Sequence, residues 1–191
     1  MSGPRIIAGK YRHRVLSAPT GLGTRPTNAR ARQAVFDILM HAPWAGADFI
    51  RSARVLDVFA GTGAYGIEAL SRGAVSASFI ENDREALAAL RDNLAACKAE
   101  GEGKIIRADA LHPPKGSPHD LVFLDPPYAQ NLIPQALAAL SAGNYFAPVA
   151  VFVTELGPRD EFLPANILNE RRHGKARLLF WSVEDGLRAA R

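Results

Sequence analysis

Hydrophobic and polar positions change rhythm along this chain. Between residues 27 and 42, "TNARARQAVFDILMHA" puts apolar or small residues at Ala31, Ala34, Val35, Ile38 and Leu39, the i, i+3, i+4, i+7, i+8 spacing of one helix face. Thr27 or Asn28 can cap that helix, and Pro43 ends it. From Arg54 short apolar runs alternate with amphipathic ones. "RVLDVFA" reads as a buried strand, "AYGIEALSRG" as a helix closed by Gly73, and "AVSASFIE" as a second strand. "DREALAALRDNLAAC" is a long helix with its register at Leu87, Leu90, Arg91 and Leu94, and "GKIIRAD" is a third strand. After a loop, "LHPPKGSPHD", come the strand "LVFLD", the helix "NLIPQALAAL" and the strand "VAVFVTEL". Strands and helices in this order build a parallel sheet covered on both faces. The tail "ANILNERRHGKARLLFWSV" breaks the pattern: two apolar-rich segments flank a turn at "HG", as in an antiparallel hairpin added to the sheet edge. The prediction is a mostly parallel seven-stranded α/β sheet with a C-terminal hairpin.

Length and composition fit one globular domain with a full core: 191 residues, 48% hydrophobic. Residues 1–44 read as a basic extension of a short hairpin and a helix, and 45–191 as the α/β domain. No run approaches the roughly 18 to 20 apolar residues that span a membrane, and "MSGPRIIAGKYRHR" lacks the apolar core of a secretory signal, so a cytoplasmic protein is expected. The single cysteine, Cys97, has no disulfide partner and reads as a small packing residue on a helix. The histidines lie apart, so no metal is expected.

Charge divides the chain. Residues 1–54 carry nine Lys/Arg and two acids, 55–169 eight and fourteen, and 170–191 six and three, so +7, −6 and +3 sum to the net +4. The first 36 residues hold Arg5, Lys10, Arg12, Arg14, Arg25, Arg30 and Arg32 with no acid, a candidate phosphate-binding surface interleaved with Tyr11 and His13. Arg171, Arg172, Lys175 and Arg177 either extend that surface or guard an edge hairpin against strand pairing.

Candidate chemistry gathers at strand ends. "DVFAGTGAYGIEAL" sets Gly61, Gly63 and Gly66 in G-x-G-x-x-G spacing between a strand and a helix, where backbone can approach a ligand at a helix N-terminus. The spacing alone suits a dinucleotide or S-adenosylmethionine. Asp57, four residues before the first glycine, suits a ligand with an ammonium group better than a pyrophosphate. Glu81, at the end of the next strand, can take the two hydroxyls of a ribose. Asp109 either meets an adenine amino group or caps its loop. In "FLDPPY" the proline pair removes two backbone donors and forces the chain out of the sheet, which holds Asp125 at a strand end. The Asp125 carboxylate and the Pro126 carbonyl can accept the two N–H bonds of an exocyclic amino group and orient its nitrogen. Pro127 stiffens the turn and Tyr128 offers a flat face for a base.

These motifs together resemble the class I S-adenosylmethionine-dependent methyltransferases, a Rossmann-like fold. "RIIAGKYRHRVLSAP", "RPT" followed by "ARQAVFDIL", and "AGTGAYGIEALSRGA" resemble the RsmD-type family, which methylates the N2 amino group of guanine 966 in 16S ribosomal RNA. The resemblance implies Asp125, Pro126, Pro127 and Tyr128 as the catalytic motif. It implies cofactor contacts at Asp57, Phe59, Ala60, Gly61, Thr62, Gly63 and Gly66, at Glu81 with Asn82, and at Asp109 with Ala110. The basic arm becomes an RNA contact, S-adenosylmethionine the cofactor and S-adenosylhomocysteine its product. The partner is 16S rRNA in the small subunit or its assembly intermediate, and the enzyme is expected to be a monomer. One departure is local: the family commonly carries an acid after RPT, whereas "NARARQ" here is uncharged or basic. Three rivals differ in what they leave unexplained. An adenine-N6 methyltransferase shares the motifs, a nicotinamide oxidoreductase leaves DPPY and Asp57 without a role, and a non-catalytic RNA-binding module would bind without methyl transfer.

Overall fold

The computed structural model describes residues 3–19, 29–127, 132–158, 160–174 and 176–182. The elements run α1 (Ala29–His41), α2 (Ala47–Ser52), β1 (Arg54–Val58), α3 (Ala64–Ser71), β2 (Ser76–Glu81), α4 (Arg84–Cys97), β3 (Gly103–Arg107), β4 (His119–Leu124), α5 (Leu132–Ala142), β5 (Phe146–Leu156), β6 (Ile167–His173) and β7 (Ala176–Ser182). They form one seven-stranded sheet in the order β3-β2-β1-β4-β5-β7-β6. Strands β1 to β5 run parallel to one another, and at the edge β7 pairs antiparallel with β5 and β6 antiparallel with β7. The hairpin therefore sits where the tail pattern put it.

Two apolar layers hold the sheet. On one face α1, α3 and α4 bury Val35, Phe36, Ile67, Leu70, Leu90 and Leu94 against Val55, Phe79 and Phe123. On the other, α5 buries Ile133, Leu137 and Leu140 against Leu56, Val122, Phe152 and Trp181. Trp181 is fully buried, donates to Thr154 Oγ1 at 3.0 Å and stacks on Phe152. Trp44 is half-buried beside Phe180, so both tryptophans pack. Cys97 is buried in the first layer.

The N-terminal residues share this core. Ile6 and Leu16 are 0% and 1% exposed and belong to the same cluster as α1 and α3. A single antiparallel bridge, Arg5 to Val15, marks the short hairpin. Its loop docks on the end of α3: Lys10 N donates to Ser71 O at 2.7 Å and Tyr11 N to Ser71 Oγ at 2.9 Å. Helix α3 is thereby covered on all sides, and all eight of its residues are buried.

Four details depart from the pattern reading. Helix α1 turns Arg32 and Phe36 inward with Ala31, Val35 and Leu39, and leaves Ala34 and Ile38 half-buried. Helix α4 exposes Arg91 and buries Asn93. The structure adds the six-residue α2, too short for an apolar period to announce it. Strand β5 begins at Phe146, and its pairing with β4 shifts between His119↔Phe146 and Leu121↔Val151, an irregularity that accommodates Pro148. Thr27 and Asn28 lie outside the described residues. No helix among the described residues is long and apolar enough to cross a membrane.

Candidate active site

Parallel pairing brings the candidate residues to one rim. Val58 of β1 lies beside Ile80 of β2 and Leu124 of β4, and Leu124 lies beside Thr154 of β5. The segments after Val58, Ile80 and Leu124 therefore leave the sheet side by side. These are the glycine loop, Glu81 and Asp125–Pro126, and such a rim is where open α/β sheets bind ligands.

The glycine loop is built by left-handed backbone and by carboxylates below and beside it. Phe59, Gly61 and Gly63 have φ of 60°, 55° and 77°. A Cβ added at Gly61 would meet nothing nearer than Phe59 O at 4.0 Å, so the backbone there borders open space. A Cβ at Gly63 would sit 2.4 Å from Leu90 Cδ1, and one at Gly66 2.3 Å from Phe79 Cε1. Only the first glycine of the motif borders open space; the other two let α3 pack against β2 and α4. Gly63 caps α3 without a side chain, and Asp57 supplies what the cap lacks: its Oδ2 accepts from Gly66 N at 2.8 Å, satisfying a first-turn donor of the helix. Asp57 is 3% exposed, and burial pushes its carboxyl up to about 7 despite the Gly66 hydrogen bond. Asp57, expected as a contact for an ammonium group, lies inside the protein and holds the start of the loop's own helix.

Glu81 stands beside the open part of the loop. Its Oε2 accepts from Gly61 N at 2.7 Å, and its Oε1 from Asn82 N and Asp83 N at 2.8 Å each. One half-buried carboxylate thus joins the first glycine to the head of α4. Asn93, the polar residue in α4's buried register, donates to Thr62 O at 2.9 Å and exchanges hydrogen bonds with Ser17 N and O. It ties the loop to the N-terminal segment. The sequence signal for it was a polar side chain three residues after Leu90. Asp109 caps its own loop, accepting from Leu111 N at 3.0 Å with His112 at 3.3 Å, and these hold its carboxyl below the usual range. Ala110 beside it is 3% exposed, Ala60 is 9% exposed, and Phe59 is half-buried. The residues present fit S-adenosylmethionine: an open backbone at Gly61 with the Glu81 carboxylate beside it.

Asp125 is half-buried, Pro126 buried and Pro127 exposed at the end of β4; Tyr128 lies outside the described residues. Beneath them Tyr65 stacks on Phe123 with ring centroids 4.9 Å apart. Its hydroxyl is buried without a hydrogen-bond partner, and its pKa is driven well up by burial and then by the charges of Asp125 and Glu155. Neither Tyr65 nor Glu155 was singled out from sequence, where each reads as core or strand. Among the described residues no group of three or more His, Cys, Asp or Glu side chains could hold a metal ion.

The basic arm is sorted by its partners. Arg32 is fully buried, donates to Arg5 O and lies 3.8 Å from Glu68, so it is corrected from RNA contact to core residue. Buried Glu68 pulls it inward. Lys10 donates to both Glu102 oxygens at 2.7 and 2.6 Å, and Arg5 to His13 O at 3.1 Å. Arg12, Arg14 and Arg30 are exposed. Arg25 lies outside the described residues.

Comparison with known proteins agrees with the motifs. The family model described as Conserved hypothetical protein 95 matches residues 4–182. Ribosomal RNA small subunit methyltransferase D of Escherichia coli K12 is 39% identical over 153 residues, 79% of this chain and 73% of that protein. The chain belongs to this RsmD-type methyltransferase family. The solved Escherichia coli protein yhhF superposes with a TM-score of 0.79 at 35% identity, covering 94% of this chain and 97% of that one. An RNA methyltransferase from Salinibacter ruber, solved with S-adenosyl-L-homocysteine, shares the fold at 16% identity, with a TM-score of 0.63 over 83% of this chain and 94% of that one.

Proposed function

We propose that this chain transfers a methyl group from S-adenosylmethionine to the exocyclic N2 amino group of a guanine in 16S ribosomal RNA, of the guanine 966 type, within the small subunit or its assembly intermediate. The observation that carries the reading is the adjacency of Asp125–Pro126 to the glycine loop and Glu81 on one rim, fixed by the pairing of Val58 with Leu124 and Ile80. The names of the family relatives support the rRNA class of substrate.

S-adenosylmethionine supplies a methyl group already activated on a sulfonium. The chain's task is to align an amino nitrogen whose lone pair is delocalised into its ring. Asp125 accepts one N–H and the Pro126 carbonyl the other, which turns the nitrogen towards the methyl group. Burial of Pro126 and the fixed φ of both prolines hold these acceptors still. Glu81 accepts a ribose hydroxyl on Oε2, which among the described residues takes only the Gly61 N–H, and the backbone around Gly61 leaves room for the cofactor. Tyr128 takes the flipped base on its ring.

Asp125→Ala tests this assignment. Methyl transfer should fall by about 10²–10³-fold, the scale of losing one aligned polar group, while cofactor affinity stays near wild type. Wild-type transfer rates from the variant would refute it.

A further inference from the structure

A groove of about 850 Å³ lies on the α1 side of the edge hairpin, between α1 and β6. Its walls include Arg30 and Gln33 of α1, Trp44, and Asn169, Arg171 and Arg172 of β6. Ala34 and Ile38, the α1 positions that the core leaves half-buried, form apolar lining. The single acid along it, Asp37, is held by Gln33 Nε2 at 2.6 Å. Arg171 and Arg172 are exposed and make no ion pair among the described residues, unlike Lys10 and Arg32 of the arm.

The groove's basic residues lie three strands along the sheet from the catalytic rim. Asp125 follows Leu124, which pairs with Thr154 of β5; Leu156 of β5 pairs with Arg177 of β7, and Arg177 with Arg172 of β6. Three strand spacings separate the line of Asp125 from Arg172, roughly 14 Å. Nucleotides flanking a flipped base can span that distance.

We infer that this groove is a docking site for single-stranded RNA, in which Arg171 and Arg172 hold phosphates flanking the target base. The inference rests on the proposed function and moves much of the RNA contact from the N-terminal arm to α1 and the edge hairpin. Paired guanidinium groups favour phosphate, and a half-buried tryptophan with neutral amides suits bases and sugars better than an acidic peptide.

The test is R171E/R172E against R91E/K115E, which makes the same charge change at exposed sites away from the groove. Binding is measured to a labelled single-stranded 16S fragment and to whole small subunits across a salt series, beside cofactor affinity and melting temperature. The groove variant should keep its melting temperature and cofactor affinity, lose at least tenfold in RNA affinity, and flatten the log–log salt slope by about 1.4, two single-strand phosphate contacts. The control should keep the wild-type slope. Wild-type RNA affinity and slope in R171E/R172E overturn the inference, as does equal loss in both variants. Loss on whole subunits alone also overturns it, in favour of a protein contact. Wild type that binds neither RNA nor subunits, or methylates neither, refutes the proposed function instead.

Discussion

Glu68→Gln tests how the N-terminal segment is fixed to the methyltransferase core. Glu68 is fully buried on α3 and gathers four groups: it accepts from Ile7 N at 2.8 Å, Ala8 N at 3.1 Å and Arg72 Nε at 2.8 Å, and lies 3.8 Å from Arg32 Nε. Arg32 is itself 0% exposed, with Nε and Nη1 lacking hydrogen-bond partners, so the Glu68 charge is what compensates it. Burial lowers the Arg32 pKa, and Glu68 is the largest opposing influence. Glutamine preserves shape but removes the charge and presents an N–H₂ group to donors. Leaving one partner of a buried pair uncompensated costs about 3–5 kcal/mol. At about 2–4 °C per kcal/mol for a chain of this size, the melting temperature should fall by roughly 6–20 °C. Thermal and urea unfolding read the effect, and R32M/E68Q should recover part of it because the stranded guanidinium is gone. A melting temperature within about 2 °C of wild type, or a double variant weaker than Glu68→Gln, would refute the reasoning.

Two glycines of one motif should fail in different ways. Gly63→Ala places a methyl against Leu90 and Phe79 at φ +77° and should cost about 2–5 kcal/mol of stability by denaturant unfolding. Gly61→Ala, at φ +55° but facing open space, should cost only the backbone strain of about 1–2 kcal/mol and in addition weaken cofactor affinity by calorimetry; unchanged cofactor affinity would contradict the assignment of Gly61 to the cradle. Asp57 makes stability depend on pH. Its folded pKa of about 7 exceeds the unfolded value near 3.9, so the folded state binds more protons in between, and stability falls as pH rises from about 4 to about 7. Asp57→Asn should remove that slope in unfolding measurements at pH 5 and 8; an unchanged slope would show that another group carries it.

The sheet was legible because each strand announces itself by a short apolar run and each helix by its period, and the hairpin by its break from that grammar. The rim was legible because a glycine loop and a proline pair are positions where backbone chemistry is written into residue type. Partnering was not. Arg32 sits in an acid-free basic stretch, and only the fold brings Glu68 across to it from 36 residues away along the chain. Asp57 has the spacing of a ligand contact, yet the distance from its carboxylate to Gly66 N is set by how α3 starts. Periodicity placed Arg91 on the buried face of α4, and the demand of Thr62 and Ser17 for a hydrogen-bonding partner put Asn93 there instead. The α1–β6 groove joins segments more than 100 residues apart, which no local pattern reports.

Methyl transfer itself gives the most direct test. Small ribosomal subunits lacking the modification are incubated with the protein and S-adenosylmethionine labelled in its methyl group, then digested to nucleosides for mass spectrometry. The account predicts label in N2-methylguanosine at a single 16S position. Label in N6-methyladenosine, or tight cofactor binding with no labelled nucleoside, would contradict it.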